Sequence, residues 1–149
     1  MIDEQPTVLK DSIRMAMGVH WSHMMPRFLR RWGPALVMIA AIFAFSSIPS
    51  ADMPPLGVWD LIVKKGGHAL GYGLLTVAFW RGLEWKRKLI WLPFLLAVLY
   101  AASDEFHQSF VPGRHPSPVD VGIDALGSSI ALALWAWVRA VRARAGSAE

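Results

Sequence analysis

At residues 103–108 this chain reads Ser103-Asp104-Glu105-Phe106-His107-Gln108, a strongly polar segment between two long apolar ones. Two further polar motifs follow it, Pro112-Gly113-Arg114 and Asp120-Val121-Gly122-Ile123-Asp124. Ionisable groups at the edge of a bilayer are costly and usually mark a functional site. The pattern therefore predicts membrane helices on both sides of the segment and places the chemistry of the protein between them.

The composition supports a membrane protein. The chain has 149 residues, which is enough for one domain. Hydrophobic residues make up 54% and charged residues 17% of it, whereas soluble domains average about 45–50% and about 25%. Because the chain has no cysteine, a disulfide, a thiolate nucleophile and a cysteine-ligated metal are excluded.

Four apolar segments follow one another, each shorter than the roughly 20 residues of a typical membrane-spanning helix. Their polar flanks must therefore lie at membrane depth or extend the helices into the interface. A buried helix of a soluble protein explains any one segment, but four in succession favour a membrane protein. We predict an all-α fold, an integral membrane bundle of four transmembrane helices. The predicted spans are residues 34–48, 66–80, 89–102 and 121–138.

Basic residues are distributed unevenly around these spans. Five precede the first span, four lie between the second and third, and three follow the fourth, which accounts for twelve of the fifteen. Cytoplasmic loops carry such an excess, so we predict an N-in/C-in topology. Only Lys64, Lys65 and Arg114 fall on the extracytoplasmic side. The pI near 9.9 thus reflects the positive-inside bias, and we expect no nucleic-acid partner.

This topology divides the chain into three parts. Residues 1–33 are a cytoplasmic or interfacial N-terminal segment without the continuous apolar core, about 7–15 residues long, of a cleaved signal peptide. Residues 34–138 form the transmembrane domain. Residues 139–149 form a short basic cytoplasmic tail.

Helical spacing groups the polar residues near the extracytoplasmic ends into shared faces. On the second span, Lys64, His68 and Tyr72 recur every four residues and share one face. Gly67 and Gly71 flank this face, and we predict that they let a neighbouring helix approach closely.

Two further faces lie on the third and fourth spans. They consist of Tyr100, Asp104, His107 and Gln108 on the third span, and Asp120, Asp124, Gly127 and Ala131 on the fourth. Gly127 and Ala131 have the small-residue spacing of a helix–helix contact. These faces are therefore predicted to point into the bundle.

The connections between the spans add further candidates. A proline-rich turn after the third span presents Arg114. We expect Asp120 to cap the fourth helix or to pair with Arg114. Ser46 and Ser47 end the first span and are expected to bond backbone carbonyls, although either hydroxyl is also a candidate for the polar cluster.

These features supply two sets of candidate site residues. The candidate catalytic residues are Asp104, Glu105, His107 and His68, and the candidate ligand-binding residues are Lys65, Tyr72, Gln108, Arg114, Asp120 and Asp124. A carboxyl group near the bilayer suits a general acid or base, and Arg and Lys suit an anionic group such as phosphate. The alternative interpretation is a satisfied polar network that fixes the helix register.

In the functional interpretation, Lys65 and Arg114 hold the anionic group of the ligand. Asp104 or Glu105 accepts a proton or a hydrogen bond, and one of the two candidate histidines relays it. Lys65 and Arg114 also oppose a cation, and the chain has no strict metal-binding motif. We therefore predict no metal ion and no cofactor.

The polar motifs resemble the VanZ-like family of small bacterial membrane proteins. The matching strings are Lys65-Gly66-Gly67-His68-Ala69-Leu70-Gly71-Tyr72, then residues 103–114, then Asp120-Val121-Gly122-Ile123-Asp124-Ala125-Leu126-Gly127. Many members carry Asn at the position of Asp124 and a second glycine after the position of Gly127. The resemblance covers about residues 34–138 and implies an association with glycopeptide (teicoplanin) resistance.

From the residues and the resemblance together we expect an integral protein of the bacterial cytoplasmic membrane. Its extracytoplasmic polar site would bind or act on an anionic lipid-linked or cell-surface ligand. The candidate partners are membrane lipids and a lipid-linked cell-wall intermediate or a glycopeptide. Two alternatives stay open, a non-enzymatic membrane binding or partner module and a small proton-coupled transporter or flippase. Enzymatic activity and oligomeric state are open as well.

Overall fold

The computed structural model describes residues 27–53 and 59–146, and this part of the chain is helical without any strand. Short 3-10 turns at Ser50–Asp52 and Arg87–Leu89 connect the main helices. The predicted all-α fold is thereby confirmed, whereas residues 1–26 of the predicted N-terminal segment lie outside the described residues. The α-helices within these two ranges are α1 (Arg27–Ser46), α2 (Asp60–Gly82), α3 (Trp91–Gln108) and α4 (Pro118–Ala145).

Within the described residues, three helices are long and apolar enough to cross a membrane. They are α1, α3 with the turn before it, and α4. Helix α2 has 23 residues and falls short in apolar composition rather than in length. A helical membrane bundle is therefore supported, and the fourth span and the N-in/C-in orientation stay predictions.

Helix α2 occupies the centre of the bundle. Its residues Tyr72, Leu75 and Phe79 are buried in the core that α1 and α3 complete with small side chains such as Ala35 and Ala97. Many large apolar side chains instead cover the outside of the helices. An apolar exterior around a small core is what a bundle in lipid requires, because lipid tails are as apolar as the core. Among these exposed side chains are Leu70, Leu74, Leu99, Ile130 and Leu134.

Helices α2 and α4 pack backbone against backbone. A Cβ added at Gly127 would lie 2.1 Å from the carbonyl oxygen of Ala69. A Cβ added at Gly73 would lie 3.1 Å from the carbonyl oxygen of Gly127 and 3.3 Å from Cβ of Ala131. The predicted helix contact at Gly127 and Ala131 is confirmed.

The predicted close approach at Gly67 is wrong. A Cβ added at Gly67 would meet nothing within 4 Å, and one added at Gly71 would make an ordinary 3.9 Å contact with Ile42. Both glycines instead line an open space between α1 and α2, which Ile42 and Phe45 of α1 also line.

The turn between α3 and α4 is fastened to the end of α1. Ser50 N donates to the carbonyl oxygen of Pro112 at 3.3 Å, and Ser50 Oγ donates to that of Gly113 at 2.5 Å. Gly113 has a φ of +73°, a conformation that glycine adopts without strain. Ser117 caps α4, since its Oγ accepts from Val119 N at 3.2 Å, so the expectation that Asp120 caps this helix is wrong.

Substitution of Gly127 tests the α2–α4 contact. We expect Gly127→Ala to lower the free energy of unfolding by about 1–3 kcal/mol, because the new methyl group would overlap the Ala69 backbone. Gly122→Ala is the matched control, since a Cβ there meets nothing within 4 Å. Thermal unfolding in detergent gives the melting temperature of each variant, and equal melting temperatures would contradict the close contact of Gly127 with Ala69.

Single-cysteine labelling tests the topology, since the chain has no native cysteine. A membrane-impermeant maleimide added to intact cells should label Asp52→Cys and His115→Cys. It should label Lys86→Cys only after lysis, because in the predicted topology α2 crosses the membrane between residues 52 and 86. Labelling of all three variants in intact cells, or of Lys86→Cys alone, would contradict the four-span, N-in/C-in prediction.

Candidate functional site

A buried hydrogen-bond network joins α1 to α3. Asp104 is 3% exposed, and its Oδ2 accepts from Ser46 Oγ at 2.7 Å and from Gln108 Nε2 at 3.1 Å. Gln108 Nε2 also lies 3.3 Å from Ser46 Oγ. Ser46 thus joins the polar cluster, whereas Ser47 donates to the backbone carbonyl of Phe43 at 2.7 Å.

Three buried oxygens near this network have no hydrogen-bond partner among the described residues. They are Tyr72 Oη, Asp104 Oδ1 and Asp124 Oδ1. The Tyr72 hydroxyl is close enough to the Asp104 carboxylate to interact with it electrostatically, although the contact does not meet hydrogen-bond geometry. Each unsatisfied buried group costs about 1–3 kcal/mol, so a purely structural network would be expected to pair them.

His68 is backed by a buried carboxylate from α4. Its Nδ1 lies 3.7 Å from Oδ2 of Asp124, which is 2% exposed. The His68 ring also stacks on Tyr72 with centroids 6.2 Å apart. The 3.7 Å between His68 and Asp124 is longer than a hydrogen bond, so the buried carboxylate orients the ring through electrostatic attraction.

A polar cleft of about 320 Å³ opens at the end of the bundle where α2 and α4 begin and α3 ends. All of α2, α3, α4 and the turn before α4 contribute to its walls. Lys65 forms an ion pair with Asp120 across it, so the expected pairing of Asp120 with Arg114 is not the one formed. Six of the sequence-derived candidates line this cleft, namely Lys65, His68, Glu105, Gln108, Arg114 and Asp120.

An apolar groove of about 380 Å³ lies between α1 and α2. Met38, Ile42 and Phe45 line it from α1, and the candidate Tyr72 lines it from α2. The groove and the polar cleft share three lining residues, which are Lys64, His68 and Arg114. The two cavities therefore adjoin at these three side chains.

Arg114 secures the end of α1. Its Nε donates to the carbonyl oxygen of Ile48 at 3.1 Å, and its Nη2 donates to that of Phe45 at 3.0 Å. A cation at a helix C-terminus is favourable because the last carbonyls have no partner within the helix. The same side chain lines both cavities, so Arg114 positions the wall of the cleft as well as contributing charge.

The candidate catalytic residues Glu105 and His107 contact other segments of the chain. Glu105 Oε2 accepts from Ser117 N at 2.8 Å and so holds the start of α4, although the side chain still lines the cleft. His107 lies outside the cleft, with Nε2 3.1 Å from Ser47 Oγ and its ring centroid 4.6 Å from that of Phe43. The structure thus places His68, and not His107, beside the other polar groups.

Some residues of the cleft were absent from the sequence-derived candidates. Lys64 and His115 line it, and Ser46 binds Asp104 behind it. Lys64 had a detectable signal, because it lies four residues before His68 on the same helical face. His115 had none, since it lies in an irregular turn. In the described part of the chain, no three His, Asp or Glu side chains are grouped to hold a metal ion.

The cleft combines basic side chains, carboxylates and an oriented imidazole. It can therefore hold an anionic group by charge and hydrogen bonding, and it can exchange a proton through His68 with Asp124 behind it. Both capabilities use side chains from separate helices, so they depend on the assembled bundle.

Comparison with known proteins identifies the family. A family model described as VanZ/LLP1 matches residues 30–139, a range that includes every side chain of the cleft and of the buried network. No curated protein and no solved structure shows significant similarity to the chain. Because the matched range covers most of the sequence, the chain belongs to the VanZ-like family.

Proposed function

We propose that this VanZ-like membrane protein binds an anionic lipid-linked or cell-surface ligand at the extracytoplasmic side of the bacterial cytoplasmic membrane. The observation that carries the proposal is the charge of the residues shared by the cleft and the groove. All three shared residues, Lys64, His68 and Arg114, are basic. Arg provides planar hydrogen-bond donors and Lys a point charge for an anionic group such as phosphate.

The carboxylates of the cleft come from other helices than Lys64 and His68. Glu105 comes from α3 and Asp120 from α4, and each already has a donor within the cleft wall. Ser117 N donates to Glu105, and Lys65 pairs with Asp120. Because both carboxylates already have donors, an anionic group would be placed next to Lys64 and Arg114.

The pairing of His68 with Asp124 favours a second candidate function, acid–base catalysis on the bound ligand. His68 lines the cleft while Asp124 is buried behind it, which is the arrangement of a general base and its orienting group. In this reading the anion-binding residues position the ligand, and His68 accepts or returns a proton.

The proposed ligand class also connects the site with glycopeptide resistance, which the family resemblance implies. The topology prediction assigns the cleft to the outer face of the cytoplasmic membrane. Anionic lipid-linked cell-wall intermediates are displayed at that face. We propose that teicoplanin susceptibility of a host expressing the protein depends on the same basic residues that bind the ligand.

Neutralising Lys64 tests anion binding. We expect Lys64→Gln to weaken binding of glycerol 3-phosphate to the detergent-solubilised full chain by about tenfold, since a charge-assisted hydrogen bond contributes about 1.5–3 kcal/mol. Lys88→Gln makes the same charge change in the turn Arg87–Leu89, far along the chain from the cleft. Isothermal titration calorimetry measures both, and equal affinities for the two variants would contradict the proposal.

Replacing His68 tests the catalytic reading. Wild-type protein in nanodiscs made from bacterial total lipid extract should change the abundance of at least one anionic lipid, measured by mass spectrometry. His68→Gln should reduce that conversion by about 100-fold or more, in line with loss of general acid–base catalysis. An unchanged lipid profile with the wild-type protein would contradict catalysis and leave binding as the function.

A further inference from the structure

The apolar groove between α1 and α2 adjoins the polar cleft at Lys64, His68 and Arg114 and extends from there along the two helices. On α1 it extends from Phe45 to Met38, and on α2 from Lys64 to Tyr72. At about 1.5 Å per residue, these stretches correspond to about 10–12 Å along the helices. The groove therefore reaches about a third of the way through a hydrocarbon core that is about 30 Å thick.

Two glycines on α2 create this space. Gly67 and Gly71 line the groove, yet neither is required by a close contact, since an added Cβ would meet nothing at Gly67 and only Ile42 at 3.9 Å at Gly71. They differ in this respect from Gly73 and Gly127, where α2 and α4 touch. Close helix packing thus explains Gly73 and Gly127. It does not explain Gly67 and Gly71, whose missing side chains leave the groove open.

We propose that this groove holds one hydrocarbon chain of a membrane lipid whose anionic head group occupies the cleft. The proposal rests on the function proposed above and narrows its ligand to a lipid. Lys64, His68 and Arg114 lie where the groove meets the cleft, which is where the head group of such a lipid would begin. No carboxylate is present among the described residues that line the groove.

The energetics favour entry of the chain from the side, through the bilayer. A hydrocarbon chain that slides between α1 and α2 exchanges lipid neighbours for Met38, Ile42 and Phe45 and never meets water, so its transfer has little hydrophobic cost. The head group meanwhile stays at the level of the membrane interface. Shape and charge, rather than the hydrophobic effect, therefore select the lipid.

Adjacent glycines of α2 provide a matched test. Gly67→Leu would place a side chain in the groove, whereas Gly66→Leu would not, because Gly66 does not line it and an added Cβ there meets nothing within 4 Å. We expect native mass spectrometry to show about tenfold weaker retention of dioleoyl phosphatidic acid by Gly67→Leu than by Gly66→Leu. Binding of glycerol 3-phosphate, which has no hydrocarbon chain, should be the same for both variants.

The outcomes separate this inference from the function on which it rests. Equal lipid retention by the two variants, with glycerol 3-phosphate binding intact, would overturn the groove and leave anion binding in place. Absence of glycerol 3-phosphate binding in the wild-type protein would overturn anion binding itself. Loss of both ligands by a folded Gly67→Leu protein would also overturn the groove, because the hydrocarbon chain would then have no site separate from that of the head group.

A second substitution covers the case in which Gly67→Leu does not fold. Gly71→Val would fill the groove one turn further from the cleft, where only Ile42 is near. It should reduce retention of dioleoyl phosphatidic acid to the same extent without changing glycerol 3-phosphate binding. Unchanged lipid retention by a folded Gly71→Val protein would overturn the proposal.

Discussion

The register of α2 against α4 is the constraint on which the polar site depends. Because Gly127 leaves no room for a side chain beside Ala69, the two backbones can meet at only one relative height. At that height His68 lies beside Asp124 and Lys65 beside Asp120. The two carboxylates are about one and two turns before Gly127 on α4. A slip of one helical turn would separate His68 from Asp124 and Lys65 from Asp120, and breaking a buried pair is strongly unfavourable.

Several features of this arrangement could be predicted from the sequence. Helical spacing identified the faces of α2, α3 and α4, and the small residues Gly127 and Ala131 indicated a helix contact. These predictions succeed because periodicity within a segment reports which side of a helix points inward. The membrane character followed from composition, and the family assignment followed from the polar motifs.

Periodicity does not report which neighbour a face will meet, and the errors follow from this. Gly67 was expected to touch another helix, but it faces the bulky side chains of α1. For Ser46 the alternative to a backbone carbonyl is realised, since its hydroxyl donates a hydrogen bond to a carboxylate 58 residues away. Arg114 was an expected partner of Asp120, whereas it donates to the backbone carbonyls of Ile48 and Phe45 after and within α1. Each outcome depends on contacts between distant segments.

The polar composition of α2 has a consequence for the biogenesis of the protein. Helix α2 is not among the helices apolar enough to cross a membrane by composition alone, yet it supplies the centre of the core. The carboxylates that pair with Lys65 and His68 lie in α4 and are synthesised more than 50 residues later. In the predicted four-span topology we therefore expect stable insertion of α2 to depend on α4, because α4 supplies the carboxylates that compensate the charges of α2.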